Sequence, residues 1–340
     1  MNEECMIKLE EVSFSYANSR DWRGLRDVNM QVNRGELVII IGENASGKST
    51  LCKLMAGILK PTKGNIQTCT PPPVLVWQDL ELFPLTVKEN ISIVCRDSKR
   101  VDDILRDYQL NPYARSSISE LSGGLKQRVA LARAIARGSS AMIFDEPTKS
   151  FDPDWVDFFV RWITDPKEVA GLTRIVITHD NDLLAQLGSH EPQIYILEKE
   201  ADGFSRLSGP CRFEELIKKP PSYYAAKFVG YENIYSVRRD KIQEVRKNIR
   251  NLNCGDLAPL GASTLLVVIP PDCIEIRDAG GAEVRLVSQR PSIGNHIVAK
   301  YMWNPGQFTL EFCVHVKGAP PERGYLYFDP TKCILIDRGG

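Results

Sequence analysis

Nine consecutive residues, Gly42-Glu43-Asn44-Ala45-Ser46-Gly47-Lys48-Ser49-Thr50, carry the spacing Gly-x-x-x-x-Gly-Lys-Ser. Two glycines let a backbone wrap tightly, and successive N–H groups in such a loop converge as an anion nest. The chemistry is phosphate binding: Lys48 is expected to bridge the β- and γ-phosphates, and the Ser49 hydroxyl to ligate magnesium. A second chemical pair is Asp145-Glu146, at the end of the aliphatic run Ala141-Met142-Ile143-Phe144. A carboxylate at the mouth of a buried strand is what a magnesium site beside such a loop needs, which is the place of Asp145. Glu146, next along, could align or deprotonate an attacking water. A solvated acidic turn would explain an isolated Asp-Glu-Pro, but not one that follows a hydrophobic strand and an upstream phosphate loop. The third constellation is Ser122-Gly123-Gly124, which opens into Val129-Ala130-Leu131-Ala132-Arg133-Ala134. It reads as another backbone nest at a helix N-terminus. A capped helix with a flexible lead-in accounts for Ser122 and not for the paired glycines.

The elements that must position these groups are legible nearby. Residues 7–16 alternate apolar and polar side chains as an opening strand does. Leu37-Val38-Ile39-Ile40-Ile41 is a solid aliphatic run, suited to a strand covered on both faces. Residues 51–59 continue from the loop as a helical pattern that Pro61 stops. Strand, glycine loop, helix is the context that makes the pattern a P-loop, and its reading is nucleotide binding. Residues 87–94 and 101–108 have helical apolar spacing with charged faces, which also fits a plain surface helix pair.

Composition narrows the class. The chain has 340 residues, room for two domains, with 43% hydrophobic and 25% charged residues. Lys+Arg and Asp+Glu both number 43, so neither net charge nor a long basic run points to nucleic acid. Nine scattered cysteines without a Cys-x-x-Cys pair suit reduced thiols better than a disulfide framework or zinc site. The start, Met1-Asn2-Glu3-Glu4-Cys5, lacks the layout of a signal peptide, and no apolar run approaches the roughly 20 residues that span a bilayer. A role at a membrane would therefore require docking to another subunit.

Taken in order, these motifs and several others resemble the nucleotide-binding subunit of ABC transporters across roughly residues 5–230. Tyr16 matches the adenine-stacking aromatic, and Gln78 in Val76-Trp77-Gln78-Asp79 the Q-loop. The stretch from Leu82-Phe83-Pro84 to Asn90-Ile91 is similar to the importer form of the segment that follows. Residues 121–124 match the signature motif, Phe151-Asp152 the D-loop, and His179 the switch histidine. Alone, Tyr16 would read as a half-buried strand aromatic, Gln78 as a surface amide and His179 as a satisfied histidine. Three positions depart from the family pattern: Ala45 replaces a glycine, Leu125 a glutamine, and Lys149 makes the D-loop lead-in unusual.

The resemblance implies an α/β P-loop ATPase domain with a mixed or parallel sheet, in residues 1–230, and a helical subdomain at about 79–137 that grips a permease. It also implies an active ATPase using ATP and Mg2+. The implied nucleotide contacts are Tyr16, Gly42, Asn44, Ala45, Ser46, Gly47, Lys48, Ser49 and Thr50, with Ser122, Gly123 and Gly124 supplied by a second copy. Ser49, Gln78 and Asp145 are the implied metal ligands, and Glu146, His179, Gln78 and Lys48 the catalytic set. The implied partners are a second copy of the chain, integral-membrane permease subunits and, indirectly, a solute-binding protein. The place of work is the cytoplasmic face of the membrane.

Beyond residue 230 the pattern changes. Short β-like runs at 265–269, 273–277, 283–287, 296–303, 308–316, 325–328 and 333–336 alternate with Gly, Pro, Asp and Asn clusters, as in a small all-β barrel or sandwich. With Tyr231-Glu232-Asn233-Ile234 and Arg290-Pro291-Ser292-Ile293-Gly294, residues 231–340 are similar to the oligonucleotide/oligosaccharide-binding-type (OB-like) barrel of one importer subclass. That subclass imports molybdate, tungstate, sulfate, iron, polyamines or sugars, and the likeness is greatest to its molybdate and tungstate members. Ser288-Gln289-Arg290 with 292–294 is a candidate anion contact or an ordinary turn. A soluble ABC ATPase acting on nucleic acid or ribosomes is the competing class; the single motor cassette and zero net charge argue against it.

Overall fold

The computed structural model describes residues 4–16, 24–77, 82–149, 151–200 and 202–238, then 264–269, 274–277, 282–291, 296–303, 310–317, 320–328 and 334–337. It divides into two compact units, Met1–Phe213 and Glu214–Gly340. The sequence reading places the division later, at 230.

In the first unit the chain runs β1 (Cys5–Ser15), β2 (Gly24–Asn33), β3 (Leu37–Gly42), α1 (Lys48–Met55), β4 (Lys63–Thr68) and β5 (Val74–Val76). It continues with α2 (Val87–Ser92), α3 (Ser98–Asp107), α4 (Gly123–Arg137), β6 (Ala141–Asp145) and α5 (Pro153–Thr164). Then follow β7 (Thr173–Thr178), α6 (Asn181–Gly188), β8 (Gln193–Lys199) and β9 (Phe204–Cys211).

One nine-stranded sheet carries this unit, in the order β4-β1-β2-β9-β8-β3-β7-β6-β5. From β5 to β8 neighbouring strands are parallel, while β1 pairs antiparallel with both β2 and β4. The parallel part is buried on both faces, which is why every residue of β3, β6 and β7 is enclosed. Each large aliphatic side chain buried there, such as Ile39, Ile40 or Ile41, contributes about 1.5–3 kcal/mol.

Helix starts are set by side-chain caps. Thr86 and Glu89 form a reciprocal capping box on α2, Asp97 caps α3, Ser122 caps α4 and Asp152 caps α5. Each such cap is worth about 1 kcal/mol. Helix α1 stops sooner than the Pro61 signal implies. Gly57 takes the left-handed conformation (φ 71°), and the Ile58 and Leu59 N–H groups fold back on the Lys53 carbonyl at 2.8 and 3.1 Å. A glycine C-cap satisfies the last carbonyls before the proline is reached. Gly209-Pro210, which by residue type marks a turn, lies within strand β9.

The second unit opens with α7 (Phe213–Lys218), whose first residue closes the first unit, and α8 (Tyr223–Phe228). Strands follow: β10 (Asn233–Arg238), β11 (Thr264–Ile269), β12 (Ile274–Arg277), β13 (Ala282–Pro291), β14 (His296–Trp303), β15 (Leu310–Lys317), β16 (Arg323–Phe328) and β17 (Ile334–Asp337). They form two antiparallel sheets, β10-β11-β17 and β12-β16-β13-β14-β15. Each of the seven β-like runs of the sequence overlaps a strand among the described residues, and β10 is an addition. No helix among the described residues is long and apolar enough to cross a membrane.

Candidate nucleotide site

Strands β3, β7 and β6 are neighbours and parallel, so the loops leaving their carboxyl ends share one edge of the sheet. Ligands in open α/β sheets bind outside that edge. Here it receives the loop after β3, Asp145 and Glu146 from β6, and His179 from β7. They surround a cavity of about 550 Å³ that also touches Tyr16, Asn44, Ala45, Ser46, Gly47, Lys48, Ser49 and Thr50.

The glycines of the loop serve two different needs. Gly47 has φ 91°, a left-handed backbone that glycine adopts without penalty. Gly42 is required by space: a Cβ there would lie 2.5 Å from the Leu197 carbonyl oxygen and 2.8 Å from Ser46 Oγ. Ser46 Oγ is itself enclosed, with no hydrogen-bond partner among the described residues. Helix α1 begins at Lys48, so its free N–H groups and positive dipole end face the cavity.

Lys48 Nζ donates to the carbonyls of Gly42 (2.7 Å) and Glu43 (2.9 Å), which holds the ammonium inside the loop. Burial pulls its pKa below the usual lysine value, opposed by the charges of Glu146 and Asp145. Ser49 Oγ donates to Asp145 Oδ2 at 2.8 Å. Burial raises the Asp145 pKa, with the Ser49 bond and Lys48 working the other way. Both charges are thus short of solvation. A hydroxyl and a buried carboxylate in contact, both oxygen donors, fit a hard divalent cation such as Mg2+, whose charge would relieve the carboxylate. When bound, such an ion supplies neutralisation of phosphate charge.

Glu146 is 6% exposed and has φ 52°, an unusual backbone for a residue with a side chain. Its N–H donates to the Ile177 carbonyl at 2.9 Å, which ties the end of β6 to β7. The carboxylate then meets His179, whose Nδ1–H donates to Glu146 Oε1 at 2.6 Å. The His179 backbone N–H (3.4 Å) and Thr178 Oγ1 (3.5 Å) approach Oε2. With Nδ1 engaged, the far ring nitrogen of His179 is left for another group. At the opposite end Tyr16, 47% exposed, packs edge-on against Phe14 at 4.9 Å and lies 3.2 Å from Thr50 Oγ1 through its hydroxyl.

Ser122, Gly123 and Gly124 lie elsewhere and do not line this cavity. Ser122 Oγ accepts from the Leu125 N–H at 3.4 Å, and the glycines form the first turn of α4. Gln78 lies outside the described residues.

Two features of the site escape a linear reading. The cavity also touches Gly24, Leu25, Lys199, Gly203 and Ser205, because β9 pairs with the start of β2 at Gly24↔Phe204 and Leu25↔Ser205. Arg26 reinforces that pairing by stacking on Phe204 at 3.8 Å and pairing with Asp202. Second, Arg128 of α4 donates to Asp152 at 2.8 Å and lies 3.7 Å over the Trp155 ring. It thereby fastens the helix behind Ser122 to the segment that follows Glu146. Only residue 128's position on the signature helix hinted at this.

Residues 25–149 match the family model described as ABC transporter. The putrescine transport ATP-binding protein PotG of Escherichia coli is 29% identical over 249 residues, 68% of this chain and 63% of that protein, under two thirds of its length. A sulfate/thiosulfate import ATP-binding protein of Rhizobium meliloti is 29% identical over 350 residues, covering 93% of this chain and 90% of that one. Among solved structures, a dimeric ATP-binding cassette in a post-hydrolysis state bound to ADP and Pi covers 61% of this chain and 100% of its own, with TM-score 0.52 and 27% identity. Phosphate loop, magnesium-type acid and fold agree: the first unit of this chain has the P-loop fold of ABC-type ATPases, and its residues 25–149 match that family's model.

Proposed function

We propose that this chain is the ATP-hydrolysing subunit of an importer, working as a homodimer at the cytoplasmic face of a membrane beside a separate permease. One observation carries the reading. A single chain holds both a phosphate cavity and a second backbone nest, Ser122-Gly123-Gly124, that does not line it. In a two-fold dimer each nest covers the other copy's ATP, which completes two sites at once.

In the proposed reaction Tyr16 stacks on adenine, the N–H groups of 42–50 cradle the phosphates, and Lys48 reaches the β- and γ-phosphates. Ser49 and Asp145 hold the metal together with Gln78. Glu146 takes the proton of a water whose oxygen attacks the terminal phosphorus. The phosphorus–oxygen bond to ADP breaks, and inorganic phosphate leaves. His179 meets the γ-phosphate through its far ring nitrogen. The stabilisation is electrostatic and preorganised, as phosphoryl transfer requires.

Support for a permease partner comes from an apolar groove of about 580 Å³ between β5 and α4, lined by Trp77, Leu82, Phe83, Ile93 and Val94. Phe83 and Ile93 remain 48% and 52% exposed. Exposed apolar side chains gathered in one groove mark a protein contact.

For the solute we propose an oxyanion such as molybdate or tungstate, with the second unit, as an OB-like barrel, able to bind it. The relative named for sulfate/thiosulfate import aligns through that unit as well. The names of other relatives, for putrescine and for Fe(3+) ions, favour the alternative of a cationic solute.

Two measurements test these readings. With Mg·ATP the full chain should sediment as a dimer, and Ser122→Arg should stay monomeric while keeping ATP affinity within about threefold of wild type, since the nest serves the other copy's nucleotide. A Ser122→Arg chain that dimerises as wild type sinks the composite site. Calorimetric titration of the full chain with molybdate, tungstate, sulfate and putrescine addresses the solute. Heat with an oxyanion alone supports the first choice, heat with putrescine alone supports the second, and silence with all up to millimolar removes solute binding from this chain.

A further inference from the structure

Lys149 stands where the ABC pattern does not carry a lysine, and the proposed reaction makes no use of it. The turn after β6 places it. The Lys149 N–H lies 3.4 Å from the Glu146 carbonyl, closing a tight turn, and Glu146 enters that turn with φ 52°. In consequence the exposed Lys149 lines the same cavity as Lys48, Glu146 and His179.

The cavity has two ends, set by strand order. Lys199 leaves β8 beside the β9–β2 pairing, on the Tyr16 side. Lys149 leaves β6, whose neighbours in the sheet are β7 and β5, on the side of Asp145 and His179. Lys48 is already held by two loop carbonyls deep in the site. Among the described residues Lys149 forms no ion pair, and its ammonium sits on a flexible four-carbon stem. It is therefore an exposed cation with no ion pair among the described residues, one turn from the proposed general base and on the cavity lining.

We propose that Lys149 is a phosphate-contacting residue of this site, which binds the γ-phosphate of ATP and the inorganic phosphate that leaves, and so makes the site prefer ATP over ADP. The proposal rests on the ATP-site reading above. A point charge at that end of the cavity discriminates because the α- and β-phosphates lie deeper, on the loop and Lys48, whereas only the γ-phosphate extends to β6. In a partly enclosed site with low-dielectric walls such a charge also draws anions inward.

The test is to measure affinities of the full chain for ADP and for the β,γ-imido analogue of ATP, both with Mg2+, in wild type, Lys149→Met and Lys149→Arg. Lys149→Met should bind the imido analogue about tenfold more weakly, the loss of one charge-assisted hydrogen bond, with ADP affinity unchanged. Inhibition of hydrolysis by inorganic phosphate should weaken in step. Lys149→Arg should restore the preference, which a merely structural role would not predict. If Lys149→Met binds both nucleotides as wild type does, or loses both equally, the proposal falls while the P-loop reading stands. If wild type binds neither nucleotide, the ATP site itself is wrong.

Discussion

Glu146→Gln should abolish steady-state ATP hydrolysis while leaving ATP binding intact, and should collect the chain as an ATP-bound dimer. The exchange keeps shape and one acceptor oxygen and removes the basic lone pair, so the loss expected is that of a general base, about 10²–10⁴-fold in rate. The local structure predicts that the fold survives. The Glu146 N–H to the Ile177 carbonyl is a backbone bond that the substitution does not touch. The His179 Nδ1–H can donate to the Gln side-chain oxygen as it does to Glu146 Oε1. Binding should persist because Lys48 and the loop N–H groups, not Glu146, face the phosphates. Single-turnover quench together with light scattering checks both halves. Wild-type turnover in Glu146→Gln would remove the base assignment, and loss of ATP binding would mean that Glu146 acts chiefly by holding the loop.

Asp145→Asn should separate activity from stability. Removing the proposed magnesium acid should cut hydrolysis by roughly 10²–10³-fold, as for other losses of a preorganised electrostatic contact in a closed site. Stability of the nucleotide-free protein should move the other way. Burial raises the folded-state pKa of Asp145, so the folded chain holds this proton more tightly than the unfolded chain. The stability contribution is full below the unfolded carboxyl value and is lost as pH rises through the raised folded value. At neutral pH wild type therefore carries a desolvated carboxylate, which Asn does not. Without metal or nucleotide, Asp145→Asn should melt at or above the wild-type temperature near pH 7, with the gap closing as pH falls into the carboxyl range. Thermal scans across pH check this, and a variant clearly less stable at pH 7 would show that the Ser49 bond and Lys48 outweigh burial. The same scans with Mg·ATP should reverse the order, since a ligand that binds only the folded state stabilises in proportion to its affinity.

How much of this was legible in the sequence depends on how local each cause is. The loop at 42–50 reads from one stretch, since glycine spacing, the lysine and the flanking strand and helix are contiguous. Asp145 and Glu146 read almost as directly, because a short aliphatic run suits a strand buried on both faces, and polar residues at its end then sit at its mouth. The strands of the second unit other than β10 were visible as short β-like runs bounded by turn residues. Helix α1 ends early for a reason equally local, the left-handed Gly57, which the more conspicuous Pro61 obscured. The strand character of Gly209-Pro210 was hidden because it comes from pairing with β8, a partner remote in sequence.

What the sequence by itself determined is the phosphate loop: its residues, its spacing and the anion chemistry they dictate. Tertiary structure alone decided what surrounds it. The order β8-β3-β7-β6 puts the ends of strands far apart in the chain side by side, so Ser49 meets Asp145 and Glu146 meets His179. It also brings Lys199 and Ser205 to the cavity through β9, turns Lys149 toward it and leaves Ser122-Gly123-Gly124 outside. The physical reason is that spacing along a strand or helix sets which face a side chain occupies, whereas the identity of the neighbouring strand is set by packing of the whole sheet.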